Sequence, residues 1–369
     1  MKEIINRLIE WFNGGKAAPY ELNLFPTNKC NLKCLSCVAR GRPGYKPSEE
    51  LPKEKYLEII KDAGNIGIKC CNISGGGEPL SRFETTMFIM REIKKQNIVG
   101  RLITNGTLFT SKAIKELVEI GWYEVQFSIH GPNDKIDDYL RGKVGAFQKS
   151  TKAMESFKYW KKRLKKKIPR IIITTVVSSK NYDKIPEMVK LAHDVEAAAI
   201  IIQPLSVPSN EIGKKLRLNE KQQIQFSNYL RKEKNLAEKY KLEHNFHYFD
   251  SKIMEKSSEI PEVIKFDVKN IPQNDVRSIP CFLPWLNMCI RADGKVGSCG
   301  GFFTEDINQK TLEETWYSNS FNDFRKKLLA GEIPPCCMQC CGINTVNTRK
   351  IRKELSKIMK IESKISNEN

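Results

Sequence analysis

Several features are missing from this sequence, and each absence narrows its reading. No stretch approaches the ~18 consecutive apolar residues that a membrane-spanning helix needs. The N-terminus, MKEIINRLIEWF, has no continuous apolar core of the kind a signal peptide carries, because Glu3, Asn6, Arg7 and Glu10 interrupt it. A chain without an export signal is expected in the cytoplasm, where disulfides are rare. There are only four histidines, and His130, His193, His244 and His247 show no metal-ligand spacing; a solvated helix end is the expected place of His244 and His247. No internal repeat or low-complexity tract is visible.

What is present is globular. The 369 residues are 40% hydrophobic and 28% charged, enough for one large domain and a small one. Twelve cysteines in a reducing compartment ask for metal rather than cross-links. The formal charge is +19, and residues 141–170 hold twelve Lys/Arg and one acid, Glu155. Such a stretch reads first as a solvated lysine-rich helix, with nucleic acid, a phosphorylated substrate or an acidic protein partner as the functional alternatives.

Strand and helix alternate about six times between Glu21 and Gln203. Strand candidates are Glu21 to Phe25, Cys70 to Ser74, Arg101 to Thr104, Glu124 to Ser128, Arg170 to Val177 and Ala198 to Gln203. Helical patterns follow from Pro52, near Thr86 to Lys95, from Ser111, across Phe147 to Arg163 and from Tyr182 to His193. This implies an α/β fold with a parallel sheet, either open and doubly wound or a partial (β/α) barrel. In both, chemistry gathers at the carboxyl ends of the strands. That is where the first cysteines and the glycine-rich turns lie. Ile4, Ile5, Leu8, Ile9 and Phe12 recur at helical spacing, which predicts a helix over residues 1–19 docked on that core. Cys70 and Cys71, inside the second strand, are expected to be core thiols.

The run Cys30-Asn-Leu-Lys-Cys34-Leu-Ser-Cys37 follows the first strand. Structural zinc wants four ligands, and no fourth Cys or His lies nearby. A [4Fe–4S] cluster held by three thiolates leaves one iron open. This C-x3-C-x2-C loop resembles that of the radical S-adenosylmethionine (radical SAM) superfamily, over roughly residues 20 to 204. The resemblance implies a partial (β/α)6 TIM-like barrel, a cluster on Cys30, Cys34 and Cys37, and S-adenosylmethionine at its open iron. It also implies reductive cleavage to a 5′-deoxyadenosyl radical and hydrogen abstraction from a C–H bond. Ser74-Gly75-Gly76-Gly77-Glu78-Pro79 looks like the family's GGEP motif, which implies that Gly76, Gly77, Glu78 and Pro79 hold the cofactor's methionine, with the Glu78 carboxylate on its ammonium. By the same resemblance Asn105 and Ser128 line the ribose and carboxylate. The residue before the third cysteine is usually aromatic in the family. Here it is Ser36, whose backbone can still meet the adenine but which cannot stack on it.

Cys281, Trp285, Asp293-Gly294, Cys299, Trp316 and Cys337-Met-Gln-Cys340 look like the SPASM/twitch extension of that superfamily. The resemblance implies one auxiliary [4Fe–4S] cluster on Cys281, Cys299, Cys337 and Cys340, with a four-thiolate zinc site as the alternative. Cys336 and Cys341 flank the last pair and can exchange with it. Cys289, in the first strand of the Asp-Gly hairpin, is expected to be a core thiol.

The expected organisation is a docking helix (1–19), a radical SAM core (20–205), a connector (206–280), the auxiliary-cluster domain (281–345) and a charged tail (346–369). The expected activity is hydrogen abstraction from a small molecule such as a sugar, alcohol or lipid precursor. The same chemistry on a peptide or protein side chain is the alternative. A metal-stabilised nucleic-acid-binding protein is the reading from another class. The expected partners are a small-molecule or short-peptide substrate and an acidic electron donor of the flavodoxin or ferredoxin kind, with no membrane span and no nucleic acid.

Overall fold

The computed structural model describes residues 1–37, 50–205, 211–249, 279, 281–299, 302–332, 337, 350–355 and 357. Its frame is a single ten-stranded sheet. Strands β1 (Glu21–Leu24), β2 (Cys70–Ile73), β3 (Val99–Thr104), β4 (Glu124–Ser128), β5 (Arg170–Val176) and β6 (Ala199–Gln203) lie in sequence order and are all parallel. Helices α1 (Lys2–Phe12), α2 (Lys53–Asn65), α3 (Phe83–Lys95), α4 (Ser111–Glu119), α5 (Asp134–Arg141), α6 (Ala146–Arg163) and α7 (Ile185–Asp194) belong to the same half of the chain. The connector supplies α8 (Glu211–Leu216), α9 (Glu220–Lys239) and a two-residue strand, β7 (Glu243–His244), parallel to β6.

Strand alternation sorts the side chains onto two faces. Leu22, Leu24, Cys71, Ile73, Leu102, Val125, Phe127, Ile171 and Ile173 point outward and are buried in the main core with Tyr56, Ile59, Ile60, Met87 and Met90 of α2 and α3. The opposite face lines the lumen. Across its floor runs a chain of ion pairs: Glu21–Arg101 (3.5 Å), Arg101–Glu124 (3.9 Å), Glu124–Arg170 (3.5 Å) and Arg170–Glu243 (2.8 Å). Cys71 is a core thiol as expected. Cys70 is on the lumen side, buried, with its thiol on Asn72 Oδ1.

Four features depart from the sequence reading. Helix α5 is not among the helical patterns of the sequence, since DKIDDYLR is mostly polar. It forms because Asn133 caps it on Ile136 N and Gly142 ends it in the left-handed region, φ 63°. Strand β7 extends the alternation beyond residue 206, so His244 stands at a sheet edge, tilted on Phe246, and His247 lies in the 3-10 turn Phe246–Phe249. The C-terminal hairpin is no detached module. Its first strand, β8 (Asn287–Ile290), adds to β1 in parallel register, with Asn23 opposite Cys289. The antiparallel strands β9 (Lys295–Cys299) and β10 (Phe302–Asp306) continue the sheet.

Finally, α1 does not take its apolar face to the barrel helices. Ile5 and Leu8 are buried in a second core with Phe282, Trp285, Phe324, Leu328, Cys337, Ile351 and Leu355. Phe324 and Leu328 belong to α11 (Asn319–Leu329), which follows α10 (Leu312–Trp316). Helix α1 thus covers apolar side chains of the C-terminal segment. Arg7 still ties the helix to the barrel, donating to Ala18 O, Pro19 O and Gly67 O at 2.8 Å each.

Candidate active site at the carboxyl ends of the strands

The cysteine loop leaves β1 at Phe25 and is fixed on three sides. On the first, the glycine-rich turn after β2 is laced to it: Gly77 N donates to Thr27 O (3.1 Å) and Glu78 N to Lys29 O (2.8 Å). The approach is so close that a Cβ on Gly77 would stand 2.1 Å from Lys29 O. The Gly77 position therefore serves the cysteine loop. Gly75 is exposed and Gly76 half-buried on the rim of the same turn.

On the second side stands the turn after β3. Asn31, inside the cysteine motif, donates to Thr107 Oγ1 and accepts from Asn105 Nδ2, both at 2.8 Å. The Asn105 Oδ1 accepts from Thr107 N and Oγ1. On the third side the C-terminal end of α5 takes the loop's amides: Lys33 N donates to Arg141 O (3.2 Å) and Leu35 N to Leu140 O (2.8 Å). Cys34 to Cys37 closes a turn, with Cys37 N on Cys34 O at 3.3 Å and Ser36 at its tip.

Glu78 is held by the protein itself. It is 3% exposed and accepts from Leu80 N (3.1 Å), Thr104 Oγ1 (2.6 Å) and Asn105 N (2.6 Å). These three donors make the carboxylate a bracket between the β2 and β3 turns. Burial pushes its carboxyl above the ordinary range against these three hydrogen bonds. Pro79 opens the 3-10 turn Pro79–Arg82 and is itself buried. The side chain of Asn105 is likewise spent on the cysteine loop. Ser128 ends β4 on the lumen face, half-buried.

A buried polar network that sequence reasoning missed underlies the loop. Arg141 and Asp137, both 0% exposed, pair at 2.9 Å. The guanidinium also donates to Ser150 Oγ (3.0 Å) and to Asn105 O. Asp137 accepts from His130 N (2.6 Å), and His130 Nδ1 accepts from Val176 N. Burial, with the charge of Arg141 adding, pushes the imidazole down to about 3, so His130 is neutral. The i,i+4 spacing of Asp137 and Arg141 was the available signal.

Among the described residues no three Cys, His, Asp or Glu side chains converge tightly enough to hold a metal ion. The donor set nonetheless fits an iron–sulfur cluster. Three soft thiol donors sit on one clamped loop, and burial pushes the Cys34 thiol up to about 12, opposed by the Arg141 guanidinium. A thiol so placed needs a metal's charge to ionise. The lumen also fits a polar cofactor. Thr174 Oγ1 is enclosed without a hydrogen-bond partner on the strand position opposite Ser128. In the C-terminal part, Cys281 and Cys337 are buried and Cys299 ends β9 half-buried. Cys289 is buried on β8, but its register opposite Asn23 puts it on the lumen face rather than in the core where it was expected, with its thiol pushed up by burial. Cys340, with Cys336 and Cys341, lies outside the described residues.

Comparison with known proteins decides the family. Residues 24–192 match the radical SAM superfamily model, and residues 281–351 match the SPASM model, an iron–sulfur cluster-binding domain. The chain belongs to the radical SAM superfamily. It is therefore an enzyme whose cofactors are S-adenosylmethionine and [4Fe–4S] clusters, which sets aside the nucleic-acid-binding reading. It is 25% identical to a tungsten-containing aldehyde ferredoxin oxidoreductase cofactor-modifying protein of Pyrococcus furiosus, over 85% of each chain. It is 29% identical to the mycofactocin maturase MftC of Mycolicibacterium smegmatis, over 51% of this chain and 45% of that one. The chain thus spans about half the length of that maturase. The fold is similar to that of Streptococcus suis SuiB, solved with its precursor peptide SuiA: TM-score 0.64 and 16% identity, covering 88% of this chain and 70% of SuiB. Among the described residues no helix is long and apolar enough to cross a membrane.

Proposed function

We propose that this radical SAM enzyme modifies a peptide. The observation that carries the reading is the make-up of the lumen wall. Asn23 and Asn72, Gln126, and the hydroxyls of Ser128 and Thr174 share that face with Ile103 and Ile201. Amide and hydroxyl groups interleaved with aliphatics suit a peptide segment, which carries both kinds of surface, better than a lipid chain. The naming of related proteins as maturases, and SuiB's precursor peptide, support the same direction. The expectation of a small-molecule substrate becomes the second reading. It is kept because the relative aligned over most of both chains is named for modifying a cofactor.

In this reading Cys30, Cys34 and Cys37 hold one [4Fe–4S] cluster. Cys281, Cys299, Cys337 and Cys340 hold the auxiliary one. When bound, the first cluster and S-adenosylmethionine supply a 5′-deoxyadenosyl radical that takes hydrogen from a C–H bond. The chain's own part is placement. The backbone of Ser36, Gly76 and Gly77 and the Ser128 hydroxyl border the cofactor. Pro79, Glu78 and Asn105 act from behind, by holding the cysteine loop and the glycine turn together. The lumen floor, closed by Glu21, Arg101, Glu124 and Arg170, keeps water from entering below. An acidic one-electron donor protein reduces the first cluster.

The test is anaerobic turnover with S-adenosylmethionine, dithionite and a panel of short peptides, including any encoded beside the gene. The expected result is 5′-deoxyadenosine together with a two-hydrogen mass loss, or deuterium uptake from heavy water, in one peptide. Turnover of a small molecule with every peptide left unchanged would reverse the two readings.

A further inference from the structure

The corner between α5 and α6 presents an unusual surface beside the cysteine loop. Gly142 and Gly145, both left-handed (φ 63° and 79°), turn the chain outward between them. At the tip Val144 is 92% exposed, and Tyr139 on α5 is 55% exposed. Lys143 and Lys149 lie exposed around them, and Lys29 and Lys33 are exposed on the cysteine loop itself. Asp138 does not offset these charges freely, since its carboxylate accepts from Gly145 N (2.6 Å) and Phe147 N (2.8 Å). The corner is also joined to the loop directly. Lys143 Nζ reaches Asn31 O (3.4 Å), and Gly142 packs so closely that a Cβ there would stand 2.4 Å from Lys33 O.

We propose that this corner docks the acidic electron-carrier protein. An apolar centre ringed by one sign of charge is the anatomy of a transient, electrostatically steered interface. Its place answers the need of the carrier, which must bring its redox centre close to the cluster. The corner and the loop share main-chain contacts, so a carrier seated on Val144 stands beside Cys30 and Cys34. In the step the carrier loses one electron and the oxidised cluster gains it; no atom is transferred. The inference rests on the proposed cluster on Cys30, Cys34 and Cys37.

The test compares the holoenzyme with a Val144→Asp/Lys149→Glu variant, using an acidic flavodoxin as the probe. Its affinity is measured by calorimetry at low and physiological salt, and its rate of driving 5′-deoxyadenosine formation is followed separately. The expected result is about a tenfold loss of flavodoxin affinity and of flavodoxin-driven rate in the variant, largest at low salt. Dithionite-driven formation stays at the wild-type rate. Unchanged flavodoxin affinity would overturn the proposal, as would an equal fall with dithionite. If wild type makes no 5′-deoxyadenosine even with dithionite, the cluster reading fails instead.

Discussion

Glu78 accepts a hydrogen bond from the backbone N–H of Asn105 at 2.6 Å, joining the turn after β2 to the turn after β3. The two turns reach the cysteine loop separately, through Gly77 and through the Asn105 side chain, so this one contact closes a triangle around the thiols. The consequences can be tested one residue at a time.

Replacing Glu78 with Ala leaves buried donors on Leu80, Thr104 and Asn105 without an acceptor. The expected loss is about 2–4 kcal/mol, read by urea unfolding, with less iron retained after reconstitution. Glu78→Gln keeps the shape and one acceptor and costs less. The pH dependence separates them. Burial raises the Glu78 carboxyl above its ordinary 4.5, so the folded state holds that proton more tightly than the unfolded state. Stability therefore declines as pH climbs from about 4.5 through the raised value, and the Gln variant lacks that component of the slope.

Arg141→Met removes a guanidinium that is 0% exposed and leaves Asp137 charged and buried. The expected cost is about 3–5 kcal/mol. Adding Asp137→Asn to it recovers part of the loss, and a double-mutant cycle by chemical denaturation measures how much.

Gly77→Ala places a methyl 2.1 Å from Lys29 O, a main-chain atom that cannot swing aside. The variant is expected to lose about 1–3 kcal/mol and much of its cluster loading. Gly75→Ala is the control. Its nearest neighbours would stand at 3.1–3.3 Å, and it should retain iron.

Two [4Fe–4S] clusters predict roughly eight irons per chain after anaerobic reconstitution. Cys34→Ala should leave about four and make no 5′-deoxyadenosine, while Cys299→Ala should leave the other four. Four irons with one zinc would reassign the auxiliary site and spare the first.

Removing the apolar contact of α1 should be felt in the C-terminal part. Leu8 is 0% exposed in the second core with Cys337. Leu8→Ala is expected to cost about 2–5 kcal/mol and to lower auxiliary iron more than the iron bound near Cys30.

The sequence alone showed a strand–helix alternation and a trio of clustered cysteines, and the resemblance of that loop to the radical SAM family carried the class of chemistry. Three cysteines at that spacing leave too few ligands for a closed zinc site, and strand–helix alternation forces a parallel sheet with its chemistry at one end. These are local properties, set by spacing and period, and they needed no partner from elsewhere in the chain. Tertiary structure decided what depends on two distant segments meeting. It bound Glu78 to donors at the end of β3, a pairing that nothing in the sequence marked. It moved α1 onto the C-terminal core, because an amphipathic stripe shows how much apolar surface must be covered but not which surface covers it. It joined β8 to β1, because an open strand edge pairs with whatever strand the chain brings back to it.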